Sequence, residues 1–145
     1  MLEVRAMAAS TSDPAADGWT PFQDVGFIDL VGPIWQRREG NDVTFAFRAE
    51  PKHENLIGVV QGGMLMTFAD RTLGAAAWAA AGGRPSVTVQ FDHLFISSAK
   101  IGEWVEVRPE VVRQTSSLIF MRGTLTAGDR TIGSASGVWK ILTPR

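Results

Sequence analysis

Alternating hydrophobic and polar residues mark the first half of the chain as a pair of strands. Within residues 22–50, Val43, Phe45 and Phe47 fall on one face, with polar or small residues between them. A period of two is typical of a half-buried strand. The polar stretch 38–42 interrupts this region and predicts a hairpin there.

A long helical segment follows, predicted over residues 63–81. It is rich in Ala, Leu and Met, and it ends at Gly82 and Gly83 with Pro85 just beyond. A helix that is apolar on all sides has to be covered by other elements. Four more alternating segments predict strands, over 86–96, 104–114, 118–126 and 131–142.

This order of elements predicts an α+β domain in which a curved antiparallel sheet of about six strands wraps one long central helix. We assign this single domain to residues 19–145. Residues 1–18 are rich in Ala, Ser, Thr, Asp and Pro, and we predict that they are disordered.

Composition narrows the class of protein. The chain has 145 residues, 45% hydrophobic and 20% charged, as expected for one globular domain. A net charge of -1 without a basic stripe argues against nucleic acid as a partner. The absence of cysteine excludes disulfides and thiolate chemistry. No segment is typical of a secretory signal or a bilayer span, so we expect a cytoplasmic protein with no membrane partner.

Two adjacent charged residues, Asp70 and Arg71, interrupt the apolar helix. Burial of a lone carboxylate is costly, which makes Asp70 a candidate functional group. An ion pair with an arginine, or an exposed position, would explain the same residue, and the pattern alone does not separate these readings. With only two histidines and no cysteine, a His-rich metal site is excluded, and we predict neither metal nor cofactor.

A short motif precedes this helix. Residues 53–63 read HENLIGVVQGG, and Asp70 and Gly74 follow. The stretch resembles the signature of hot-dog-fold acyl-CoA thioesterases, closest to the phenylacetate-degradation (PaaI-like) branch, which reads His-x-Asn-x-x-Gly-x-x-His-Gly-Gly and then an acidic residue two turns into a helix. The matching positions are His53, Asn55, Gly58, Gly62, Gly63 and Asp70. The departure is Gln61, where the family usually has His.

The resemblance implies hydrolysis of an acyl-CoA to a free acid and CoA. By it, Asp70 acts as general base or as nucleophile, the Gly62 N–H forms the oxyanion hole, and Gln61 and Asn55 orient the carbonyl or the loop. The hydroxyl that positions water falls at Thr88. Substrate binding is predicted for His53, Gly63, Met64 and Arg84. In this family the site lies across a dimer interface, which implies a homodimer or homotetramer.

The sequence is also compatible with two other functions. A non-catalytic acyl-CoA binding or sensor protein would keep the fold without the chemistry. A hot-dog hydratase or dehydratase pairs a His with a carboxylate, and here the corresponding residue is Gln61. An amide cannot carry a proton at neutral pH, so this alternative is the weaker one. Gln61 itself has an alternative role as a loop-capping amide.

Overall fold

An eight-stranded sheet curves round one long helix in the computed structural model, which describes residues 13–144. The long helix precedes five of the eight strands. The elements in chain order are β1 (Thr20–Phe22), α1 (Gly26–Val31), β2 (Ile34–Glu39), β3 (Asp42–Arg48), α2 (Gly62–Ala80), β4 (Ser86–Phe95), β5 (Trp104–Val107), β6 (Glu110–Gln114), β7 (Leu118–Ala127) and β8 (Arg130–Ile141).

The sheet is antiparallel throughout the described ladders. Its order is β1-β2-β3-β5-β7-β8-β4, with β6 also paired to β7. This confirms the predicted hot-dog arrangement of one central helix and a curved antiparallel sheet. The hairpin predicted over 38–42 is also present, with Gly40 at a φ of 61° in the turn between β2 and β3.

The prediction of about six strands was too low. β1 has only three residues, which is too short for alternation to reveal. The segment 104–114 divides into β5 and β6 at Arg108 and Pro109, because proline has no N–H to donate to a ladder. The short helix α1 was not predicted either.

The core lies between α2 and the concave face of the sheet. From the helix it contains Leu65, Phe68 and Leu73, and the sheet contributes residues such as Phe47 and Trp139, all of them buried. The chain's own sheet wraps α2 but leaves one of its faces open. Met66 and Trp78 are 38% and 40% exposed, and β4 ends the sheet with one edge unpaired in the described chain. In the described chain, therefore, neither this face of the helix nor the edge of β4 is covered by another element.

The predicted disordered segment falls mostly outside the described residues, since 1–12 are not described. Within the remainder, Pro14–Asp17 form a single turn of 3-10 helix capped by the Asp13 side chain. The boundary at residue 18 stays a prediction. Across 13–144 the structure contains no helix that is both long and apolar enough to cross a membrane.

Candidate active site

Asp70 lies on the uncovered face of α2 and is hydrogen-bonded to the neighbouring strand. The Thr88 hydroxyl donates to its Oδ1 at 2.7 Å. The two elements are held together further along by the Trp78 indole, whose Nε1 donates to the Ser86 carbonyl at 2.9 Å. A break in the β4–β8 register between Thr88 and Gln90 lies beside this contact, as bulges near functional sites often do.

The alternative reading of Asp70 as an ion-pair residue is not what the structure shows. Its neighbour Arg71 pairs instead with Asp24 and lies over the Phe22 ring at 4.8 Å. In the part of the chain that is described, Asp70 has no arginine or lysine partner. It is half-buried, and among the described residues its second oxygen, Oδ2, accepts no hydrogen bond.

The glycine pair stands at the N-terminus of α2. The Gln61 carbonyl accepts hydrogen bonds from Met64 N–H at 2.9 Å and from Leu65 N–H at 3.3 Å. The N–H groups of Gly62 and Gly63 have no acceptor among the described residues, as expected in a first helical turn. They lie at the positive end of the helix dipole and are suited to bind a carbonyl oxygen that becomes negative.

Asn55 organises the loop that leads to these glycines. Its Oδ1 accepts from Ile57 N–H at 3.0 Å and from Val59 N–H at 3.2 Å, so its Nδ2 is the remaining donor of the side chain. Val60 N–H donates to the Ala99 carbonyl at 2.8 Å, which fastens the loop to the turn at 98–103. Gly58 has a φ of 85°, a conformation that favours glycine.

Gln61 is the N-cap residue of α2, and its side chain makes no capping hydrogen bond. The side chain is exposed. The reading of Gln61 as a loop-capping amide therefore finds no support, and its NH₂ and carbonyl groups are available to a ligand.

Two of the predicted substrate-binding residues are placed elsewhere, and both are corrections. His53 is only 3% exposed; its Nδ1 accepts from Glu50 N–H at 2.9 Å and its Nε2 donates to the Val31 carbonyl at 2.6 Å. Both ring nitrogens are thus occupied in tethering α1 to the turn at 51–53. Met64 is 6% exposed and belongs to the hydrophobic core.

Gly63 and Arg84 lie at opposite ends of α2. Gly63 is exposed beside the Gln61 side chain, and its role in substrate binding stays a prediction. Arg84 follows the C-terminus of the helix, where its Nε donates to the Ala81 carbonyl at 3.0 Å. Arg84 is therefore far from the Gly62 N–H of its own chain.

A residue that the sequence reasoning did not select, Phe95, packs at the glycine region. A Cβ on Gly62 would lie 3.2 Å from its ring. Both residues line a cavity of about 300 Å³, together with Asn55, Leu65 and Ile96. The alternation of Phe91, His93 and Phe95 in β4 was the signal that could have placed Phe95 on the helix-facing side.

The carboxylate and the glycine pair form two separate half-sites in one chain. Gly62 and Asp70 are eight residues apart on one helix, which separates them by about 12 Å at 1.5 Å per residue. A reacting carbonyl needs its oxygen near the donors and its carbon about 3 Å from the attacking atom. One chain alone therefore does not bring these groups onto the same carbonyl.

The fold and the two half-sites define the class as a hot-dog protein, and the comparisons define the family. A model described as "Thioesterase superfamily" matches residues 57–134, more than half of the chain. The chain therefore belongs to the thioesterase superfamily. The matched region contains Gln61, Gly62, Asp70 and Thr88.

Two relatives agree with this placement by sequence, and one solved structure agrees with the fold. PA0474 of Pseudomonas aeruginosa, named as an esterase, is 34% identical over 128 residues, which covers 86% of this chain and 96% of the relative. Human acyl-coenzyme A thioesterase 13 is 32% identical over 79 residues, 54% of this chain and 56% of that protein. The crystal structure of zebrafish thioesterase superfamily member 2 matches with a TM-score of 0.75 at 24% identity, over 83% of this chain and 89% of that one. The predicted family is thus confirmed, while the PaaI-like branch stays a prediction.

Proposed function

We propose that this protein is an acyl-CoA thioesterase that hydrolyses a thioester to a carboxylic acid and free CoA. The observation that carries the proposal is the Asp70 carboxylate held by Thr88 at the uncovered edge of α2 and β4, in a chain of the thioesterase superfamily. The name of acyl-coenzyme A thioesterase 13 supports the choice of acyl-CoA as the substrate class.

In the proposed reaction, the Gly62 N–H and the Gln61 amide bind the thioester oxygen as it becomes negative. Thr88 occupies Oδ1 of Asp70 and leaves Oδ2 to accept a proton from water. The water oxygen attacks the carbonyl carbon, the C–S bond breaks, and CoA leaves as a thiolate that takes up a proton. In the alternative route Asp70 attacks the carbon itself, and water then hydrolyses the mixed anhydride. Both routes use the same residues.

The two half-sites would be completed by a second copy of the chain. β4 has a free edge with exposed apolar residues, among them Val87, Val89 and Leu94, and such edges are usually paired or covered. Thr88 marks the carboxylate end of this strand and Phe95 the glycine end. The bulge after Thr88 leaves Val89 outside the strand register, so an antiparallel pair of β4 strands that sets Thr88 opposite the partner's Phe95 has its two-fold axis at Asp92. That register carries the partner's glycine pair towards Asp70.

The proposal is tested by release of free CoA thiol from a panel of acyl-CoAs, read with a thiol-reactive dye. Because the chain has no cysteine, the protein contributes no background. Asp70→Asn keeps the shape of the side chain but removes the base, and we expect a rate at least about a hundredfold lower. The exposed turn residue Asp129 gives a matched control, Asp129→Asn, which should retain full activity.

Other outcomes would identify the alternatives. Near-normal thiol release by Asp70→Asn contradicts the catalytic assignment. A protein that binds acyl-CoAs but releases no thiol from any of them is a non-catalytic binder. Loss of the conjugated double bond of an enoyl-CoA without thiol release indicates a hydratase. A monomer by light scattering in an active preparation contradicts the shared site; the tetramer and the cytoplasmic location stay predictions.

A further inference from the structure

The sheet opens between the β2–β3 hairpin and β6, away from both half-sites. β3 pairs with β5 only from Phe45 to Arg48. Beyond Phe45, towards Asp42, no ladder joins β3 to β6 in the described chain. Pro109 ends β5 at this point, because it cannot donate a ladder hydrogen bond.

The opening leads to a cavity of about 790 Å³, within the size range of small-molecule sites. Its floor is apolar, formed by the rings and side chains of Phe22, Phe45 and Met121. Alanines of the C-terminal half of α2, including Ala76 and Ala80, form the opposite wall. These alanines are half-buried, which shows that the sheet does not fill the space above them.

The rim of the cavity is polar and carries charged side chains of both signs. Arg108 pairs with Asp42 at 3.4 Å, and Glu110 pairs with Arg122 at 3.0 Å. Arg38 also lines the cavity, and among the described residues it has no acidic partner. The amide-bearing side chains of Gln36 and Asn41 lie on the same rim and can add hydrogen bonds.

We propose that this cavity binds an amphipathic carboxylate, with its apolar chain on the alanine wall and its carboxylate on Arg38. A guanidinium offers a carboxylate two parallel N–H donors. The apolar floor suits an aliphatic or aromatic chain and cannot satisfy a second charge. The open strand edges of β3 and β6 provide the entrance.

This site is distinct from the catalytic half-sites. Ala79, which also lines the cavity, follows Asp70 by nine residues. At 100° per residue Ala79 lies on the opposite side of α2 from Asp70, and none of Gly62, Asp70 and Thr88 lines the cavity. Binding here therefore does not depend on the proposed hydrolysis.

The test is a calorimetric titration of the full chain with decanoate, kept below its micellar concentration. We expect one saturable site per chain. Decanamide, which has the same tail without the charge, should bind about tenfold more weakly, since a hydrogen-bonded ion pair is lost. Arg38→Gln should weaken decanoate binding to the same extent. The control is Arg113→Gln, at an exposed β6 residue outside the cavity lining, which should leave decanoate binding unchanged.

Two single variants test the cavity itself. Ala76→Leu and Ala80→Leu each fill part of it with a good helix former, and each should weaken decanoate binding at least about tenfold while thermal unfolding stays cooperative. If either folded variant binds decanoate as tightly as the native chain, the tail lies elsewhere and the proposal is overturned. Absence of saturable binding, or equal affinity for decanamide, overturns it as well.

Discussion

The proposed oxyanion contact of the Gly62 N–H can be tested by removing that single backbone donor. Gly62 is the first residue of α2, where proline is well tolerated and where its missing N–H is not needed by the helix. The preceding residue, Gln61, has φ -56° and ψ 132°, which is outside the α-helical region that a following proline disfavours. Gly62→Pro should therefore fold while it loses the donor.

The expected loss is that of one oxyanion donor, about a hundredfold to a thousandfold in kcat. Gly62→Ala is the control, because it adds the same Cβ and keeps the N–H. That Cβ lies 3.2 Å from the Phe95 ring, which belongs to an exposed side chain and can move. We expect Gly62→Ala to stay within about tenfold of the native rate. Thiol release under saturating acyl-CoA is the assay.

A mixture of two inactive variants then tests whether the site is shared between chains. When Gly62→Pro and Asp70→Asn chains are unfolded together and refolded at equal amounts, about half of the dimers are mixed. If the half-sites combine across the interface, each mixed dimer contains one intact site and one doubly defective site. Activity per chain should then return to about one quarter of the native value.

The result that refutes this reasoning is an inactive mixture that nonetheless contains the mixed dimers. If each active site were formed by one chain alone, every site in the mixture would carry one of the two defects. No activity could then return. A Gly62→Pro variant as active as Gly62→Ala would separately remove the Gly62 N–H from the reaction. Circular dichroism of each variant confirms that the loss is not one of folding.

Three other predictions concern single side chains. Thr88→Ala should lower kcat about tenfold, since the carboxylate loses a charge-assisted hydrogen bond, and Thr88→Ser should restore it. Gln61→His should retain activity within about tenfold, whereas Gln61→Ala should lose more; a large gain in Gln61→His would instead mark the native chain as a weakened enzyme. Burial lowers the pKa of His93 from 6.5, so the folded state binds fewer protons than the unfolded one, and stability is lost as pH falls below about 6.5. His93→Leu should remove this acid-side loss, seen as a difference in Tm that widens between pH 7.5 and 5.

Much of the fold could be predicted because its signals are local. The alternation in 43–47 and the glycine and proline residues after the helix each report on a few neighbouring residues. What the sequence did not predict depends on non-local contacts. β1 is a strand because its backbone pairs with β2, and α1 is fixed through the hydrogen bond from His53 to the Val31 carbonyl.

For the candidate site, too, the local features could be predicted from the sequence and the non-local contacts could not. The motif at 53–63 placed the glycines and Asn55 in one loop, and the spacing to Asp70 placed the carboxylate on the same helix. The motif could not show that His53 is buried with both ring nitrogens bonded. The position of a side chain in a short 3-10 turn depends on what packs against it, here Phe47 at 5.3 Å between ring centroids.

The exposed face of α2 also supports the proposed dimer. Its sequence is apolar on nearly every side, yet the chain's own sheet leaves Met66 and Trp78 partly exposed, and β4 leaves apolar side chains beside a free edge. A hydrophobic surface of this kind is typical of an interaction site. Asp70 and Thr88 lie on that surface, and the glycine pair lies about 12 Å along it. An interface that covers the apolar residues would also bring the separated half-sites together, so the same contact would stabilise the dimer and complete the chemistry.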